Sequence, residues 1–184
     1  EAYCDMRDKN GVGVTVIRYH KEQHVMRWCS SKECSVNVTY PGVSLTQLST
    51  LTKIASFCEQ YISLRCPRIL LRYFLKRVVW WVSRDGKTMY YWGGATGYSG
   101  RCACGMARTC LFGGLCNCVG RAHHMFPPIV SDEGILTDKF YLPVTQLTFS
   151  YDTGTDDLYL GNFRCYGIIS NTGNIILQNK NKLG

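Results

Sequence analysis

The sequence has no apolar run long enough to cross a bilayer, which takes about twenty residues. Its longest apolar stretch, Ile69 to Val82, is broken by Arg72, Lys76 and Arg77. It opens at Glu1 with no basic and apolar leader, as a mature or trimmed secreted protein would. GxSxG, HExxH and a glycine-rich phosphate loop ahead of a helix are all missing. Histidine is scarce: His20, His24, His123 and His124 lie in two polar stretches. These absences argue against an enzyme, and no cofactor is implied. No internal repeat or low-complexity linker divides the 184 residues, a length that makes one domain with a real core.

What the chain does have is cysteine. Eleven in 184 residues is far above cytosolic usage, and disulfides persist where the surroundings are oxidising. The sequon Asn37-Val38-Thr39 points the same way, making Asn37 a candidate glycan acceptor. Both features predict an extracellular chain, either secreted or the ectodomain of a cell-surface protein. An odd count leaves one thiol free, or paired with another chain or with a residue beyond this sequence. The net charge is +8, with basic clusters at Arg65, Arg68, Arg72, Lys76, Arg77, Arg84 and Lys87 and again at Lys180 and Lys182. Such a surface suits heparin-like glycans, anionic headgroups or an acidic protein, although a merely solvated basic face is the plainer reading. Nucleic acid is not an expected partner of a disulfide-dense secreted protein.

Along the chain, Val12 to Ile17 read as a strand after the turn residues Asp8 to Gly11. Cys29 and Cys34 are spaced to close a small disulfide loop. Residues 44–61 read as the main helix: Leu45, Leu48, Leu51, Ile54, Ala55 and Cys58 recur at three- and four-residue steps on one face. Ser44 and Gln47 form a capping box before it, and Ile62 to Cys66 a short strand stopped by Pro67. Val78 to Val82, the turn Arg84-Asp85-Gly86-Lys87 and Met89 to Trp92 predict a hairpin. Further strands are expected at Leu142 to Phe149 and Leu158 to Cys165. A last hairpin is expected around Asn171-Thr172-Gly173, and the tail 179–184 should fray.

The hairpin leads into Cys102, Cys104, Cys110, Cys116 and Cys118, set among glycines from Gly93 to Gly120. Two CxC pairs mimic a zinc site. Structural zinc prefers two to four residues between paired ligands, so disulfides are the favoured reading. Adjacent His123 and His124 would point apart on a strand and make poor joint ligands. Cys58 and Cys66 are close enough in sequence to pair.

The ordered series WW, YYWGG, CACG, a lone Cys, CNC, EGILTDKFYLPVTQL and LGNFRCYG resembles the fibrinogen-like region of the neurexin IV and contactin-associated protein family. LTQLSTLTKIASFCEQYISLRC matches that region's helix and following strand, and the likeness runs from Cys4 to Gly167. A weaker similarity links the chain to the C-terminal propeptide of fibrillar collagens, through the CDM start, the helix and strand ending at Cys66, the LPV strand at 142–144 and Cys165. The resemblance implies an α+β, mostly β, fibrinogen C-terminal-like fold spanning 1–184 as one domain, with one main helix and Gly-rich loops. It also implies a strand and a cysteine upstream of Cys4, so that the partner of Cys4 lies outside this sequence. Cys29 and Cys34 are not part of the family pattern. All eleven cysteines, Cys4, Cys29, Cys34, Cys58, Cys66, Cys102, Cys104, Cys110, Cys116, Cys118 and Cys165, are assigned to disulfides. The collagen likeness implies that Cys66 reaches the central cluster and Cys165 the N-terminal half, against the local Cys58–Cys66 alternative.

Fibrinogen-like domains often hold calcium through closely spaced carboxylates. Here the residues after CNC are Val119 to His124, without acids. Asp132 and Glu133 are read as solvated loop acids; Asp152, Asp156 and Asp157 are weak calcium candidates. The function implied is an extracellular recognition or adhesion module binding a protein or glycan through loops. The alternatives are a self-associating assembly module of the extracellular matrix and a secreted fibrinogen-related lectin.

Overall fold

A computed structural model describes residues 2–19, 33–67, 79–97, 99–111, 113–118, 129–150, 157–169 and 175–176. The fold is α+β and mostly β. Strands β1 (Ala2–Lys9) and β2 (Val12–Ile17) form a hairpin. Its turn residues Asn10 and Gly11 both have positive φ, 53° and 85°, which matches the twist of two antiparallel strands. β1 had no sequence signature, because almost all its side chains are exposed and no apolar alternation marks it. β3 is Glu33–Asn37.

Helix α1 (Leu45–Ile54) begins with the predicted capping box. The Gln47 amide donates to Ser44 Oγ at 3.2 Å and the Ser44 amide to Gln47 Oε1 at 2.8 Å. The helix then stops seven residues short of the expected end. Ala55–Pro67 is a thirteen-residue strand, β4, and Cys58 lies on it rather than on a helical face. Two neighbours explain the switch. Strand β10 (Phe163–Ile169) pairs with its first half, Cys165 opposite Cys58, and β7 (Ile129–Leu136) pairs with its second, from Gln60 to Pro67. Leu45 and Ile54, expected on the buried helical face, are each 54% exposed, whereas Leu48 and Thr52 are buried.

The aromatic hairpin is β5 (Val79–Val82) and β6 (Thr88–Met89), with Trp81 opposite Met89. The returning strand is shorter than expected because Tyr91 and Trp92 leave the ladder for the core. Trp81 Nε1 donates to the Tyr91 carbonyl at 2.9 Å and Trp92 Nε1 to the Asp132 carbonyl at 3.0 Å. A five-residue helix α2 (Ala103–Ala107) follows. β8 is Gln146–Ser150, starting four residues later than predicted, because the chain before it carries Pro143, which has no N–H to give a ladder. The expected strand 158–165 is two: β9 (Asp157–Leu160) ends before Gly161-Asn162, and β10 starts after them and runs past Cys165. β11 (Ile175–Ile176) pairs with the end of β10.

Among the described residues these strands make two sheets. One has the order β1-β2-β10-β4-β7, with β11 beside β10 and β9 beside β4; the other has the order β3-β8-β5-β6. A single buried cluster joins Ile62, Leu136 and Phe163 of the first sheet to Trp81 and Leu147 of the second and Leu48 of α1. Among the buried polar residues, Gln60 is fully buried beside this cluster, with both its N–H groups and its oxygen bonded. Its amide donates to Tyr40 Oη at 2.9 Å and the Gly161 carbonyl at 3.0 Å, and its oxygen accepts from the Val144 amide at 2.9 Å. Burial pushes the Tyr40 phenol far above its ordinary value, so it remains a donor, to the Val144 carbonyl at 2.8 Å.

Candidate functional site

Two surfaces stand out. The first is the cysteine loop. Cys102 is bonded to Cys116 and Cys104 to Cys110, closing two nested loops around α2. Cys58 is bonded to Cys165 across β4 and β10, which leaves no Cys58–Cys66 bridge. Cys34 and Cys118 are disulfide-bonded as well. Cys4 is free and exposed. Cys29 and the side chain of Cys66 lie outside the described residues, as do His20, His24, His123, His124, Asp152, Asp156 and the side chain of Asp157.

The loop hangs on Asp132, a strand residue and not the solvated acid the sequence suggested. Its carboxylate is buried and accepts the amides of Asn117 at 2.9 Å and Cys118 at 2.6 Å. The Asn117 side chain continues the anchor, donating to the Ser131 carbonyl at 3.1 Å and accepting from the Leu111 amide at 2.9 Å. Burial raises the Asp132 carboxyl above its ordinary value, against the lowering effect of those amides. The sulfurs of Cys102 and Cys116 and a carboxylate oxygen of Asp132 lie within 4.8 Å of one another, a spacing that would suit a metal. The two sulfurs are joined to each other, so neither offers a thiolate and the cluster is structural. Gly105 lets the loop close: a Cβ there would sit 2.0 Å from the Leu115 carbonyl oxygen.

This fastened unit presents Met106, Leu111 and Leu115 to solvent, 46%, 64% and 50% exposed. Arg101 and Arg108 flank them, also exposed. No Asp or Glu occurs in the sequence between Asp85 and Asp132, so the loop segment itself carries only basic charge. The basic cluster further upstream is less uniform than its sequence. Arg84 is taken up inside the fold, donating to Thr52 Oγ1 and the Phe140 carbonyl, each at 3.0 Å, and to the Leu142 carbonyl. Lys87 pairs with Asp85 at 3.3 Å, and Arg65 is exposed on β4. Arg68, Arg72, Lys76, Arg77, Lys180 and Lys182 lie outside the described residues.

The second surface is the open face of the larger sheet. Register brings Tyr3, Val16, Arg164 and Glu59 into one row across β1, β2, β10 and β4. Val16 is short and its neighbours are long, so the row dips into a recess of about 690 Å³. Tyr61 and Tyr159 stand at its far side with ring centroids 5.7 Å apart. Tyr61 donates to Glu133 at 2.9 Å; burial, followed by that bond, raises its phenol above the ordinary value. Glu59 takes Lys9 at 3.3 Å and Arg164 at 3.5 Å, and Arg164 also pairs with Asp8. Sequence reading missed this site, because its residues come from six strands, β1, β2, β4, β7, β9 and β10, that only the pairing unites. Glu59, Tyr61 and Arg164 do fall within the quoted family motifs, but in separate ones, and nothing in those motifs shows that they meet.

No family model matches the chain. Contactin-associated protein 1 of Homo sapiens is 31% identical to it over 173 residues, 90% of this chain and 12% of that protein. The chain is similar to one segment of contactin-associated protein 1. The proteins of that name from Rattus norvegicus and Mus musculus are each 30% identical over 174 residues, with the same 90% and 12% coverage. The contactin-associated part of the motif resemblance therefore holds over nine-tenths of the chain. The chain spans about an eighth of the length of the contactin-associated proteins it matches.

Proposed function

We propose that the chain is an extracellular recognition and adhesion module, a single fibrinogen-like domain of a larger cell-surface protein. It binds a protein partner through the disulfide-fastened loops of residues 101–118. The observation that carries this reading is the loop surface itself. Met106, Leu111 and Leu115 are exposed within one disulfide-closed segment that also carries exposed Arg101 and Arg108, and Met and Arg are residue types enriched at protein interfaces. Two disulfides pre-order the loop, so docking loses little conformational entropy. The loop segment carries arginines and no carboxylate of its own, which favours an acidic partner surface. The name of the relatives, contactin-associated protein 1, links them to another protein, which favours a protein partner here too. Disulfides of this number belong to an oxidising compartment, and no catalytic constellation is assigned.

The test is binding of the purified, fluorescently labelled chain to live cells. Saturable binding should fall at least tenfold in the triple variant Met106→Asp, Leu111→Asp, Leu115→Asp, whose substituted side chains are all exposed. Equal binding by wild type and variant would overturn the assignment to the loop. Asn37 and Thr39 are exposed, so the sequon is proposed as a glycosylation site; Asn37→Gln should remove the mass shift released by peptide N-glycosidase.

Cys4 supports two further readings. Its exposed thiol is proposed to pair with a cysteine upstream in the parent protein, completing the domain. Assembly is the other reading, in which Cys4 bridges two copies. A band of twice the chain's mass on a non-reducing gel, absent in Cys4→Ser, would favour assembly.

A further inference from the structure

The recess on the open sheet face is distinct from the cysteine loop, and its chemistry points to a different kind of ligand. An open sheet face in water carries alternating polar residues at no cost. This one carries tyrosine rings as well: Tyr3 and Tyr159 are 41% and 37% exposed, and Tyr61 stands beside Tyr159. Between the rings lie planar groups that can make two hydrogen bonds at once, the carboxylates of Asp5, Asp8 and Glu59, the guanidiniums of Arg7 and Arg164, and the amide of Asn162. Glu59 is the floor, with its side chain 9% exposed.

Charge decides between ligand classes. The whole chain carries +8, yet the recess is lined by three acids, Asp5, Asp8 and Glu59, and only two bases, Arg7 and Arg164; Lys9, outside the lining, and Arg164 both pair with Glu59, and Arg164 also pairs with Asp8. An anionic ligand gains nothing there and would have to break the Arg164 pairs. A neutral polyhydroxylated ligand can use every group as it stands. Its hydroxyls donate to carboxylates and accept from guanidinium and amide, while its C–H faces lie on tyrosine rings. A volume near 690 Å³ falls in the range of small-ligand sites, about 300–1,000 Å³. We infer that the recess bounded by Tyr3, Tyr61, Tyr159, Glu59 and Arg164 binds a neutral oligosaccharide. This site stands apart from the loop surface and from the sequon, and neither is needed for it.

The experiment is an array of neutral oligosaccharides ending in mannose, galactose or N-acetylglucosamine, together with sialylated and sulfated ones. The wild-type chain should bind at least one neutral structure. Tyr3→Ala with Tyr159→Ala should weaken that binding at least tenfold, and the triple loop variant should keep it, which separates this proposal from the loop reading. Because the tyrosine variant could lose its fold, the bound neutral oligosaccharide is also titrated into labelled wild type. Amide shifts should move at Tyr3, Tyr61 and Arg164. Absence of neutral binding, binding confined to sialylated or sulfated structures, unchanged binding in the tyrosine variant or shifts confined to the cysteine loop would each overturn the inference.

Discussion

Within the loop unit, one buried carboxylate receives two backbone amides, and the position of Asp132 on β7 sets where residues 102–118 sit. Removing it would leave the Asn117 and Cys118 amides without an acceptor. Asp132→Ala is expected to cost about 2–6 kcal/mol by urea unfolding, from two unsatisfied donors at roughly 1–3 kcal/mol each. The same residue makes a pH prediction. Its folded pKa lies above its unfolded one, so the folded state takes up the proton first as pH falls. Stability from this group is therefore gained as pH drops from neutral through the raised value to the ordinary carboxylate range. Wild type should gain on Asp132→Asn across that window, read as the difference in urea midpoints. Asp85, held low chiefly by the Ser83 hydroxyl, runs the other way and is common to both proteins, so the difference isolates Asp132. Nothing local in the sequence marks Asp132 as buried: it follows Ser131 and precedes Glu133 on a half-exposed strand. Its role comes from a loop that returns to it after fourteen residues.

At the scale of elements, the start of α1 was legible and its end was not. The capping box is local chemistry, and Ser44→Ala should lower stability by about 1 kcal/mol in the same urea experiment. The three- and four-residue spacing of Leu45, Leu48, Leu51, Ile54, Ala55 and Cys58 carries helical periodicity past Ile54, but pairing on both sides of β4 overrides it. The competing signal was there in alternate positions: Cys58, Gln60, Ile62 and Leu64 all point into the core. Gln60, a polar residue, hid that alternation, because its burial depends on Tyr40, Val144 and Gly161 far away in sequence. Cys58–Cys165 then staples β4 to β10 across a separation of 107 residues. Replacing both cysteines with serine should cost about 2–5 kcal/mol and lower the melting temperature. An unchanged melt would mean that the pair is not oxidised in the folded protein.

Over the whole molecule, two surfaces of different character share one core. The cysteine loop is apolar and basic; the open sheet face is aromatic and lined by three acids and two bases. Sequence alone marked the disulfide fastening of the first, since CACG and CNC are chemically distinctive, but not which loop residues face a partner. It was silent on the second, which is assembled from six strands by register. The mostly β architecture was readable from β-branched runs and turn residues, whereas β1 lacked any apolar pattern and escaped. Both surfaces depend on the cysteines being structural, and that is the central claim. Mass mapping of peptides from the unreduced protein tests it most directly. The account predicts linked peptides for Cys58–Cys165, Cys102–Cys116 and Cys104–Cys110, with Cys4 in the isolated chain open to alkylation. Alkylatable thiols at Cys102, Cys104 and Cys116 together with stoichiometric zinc would contradict it.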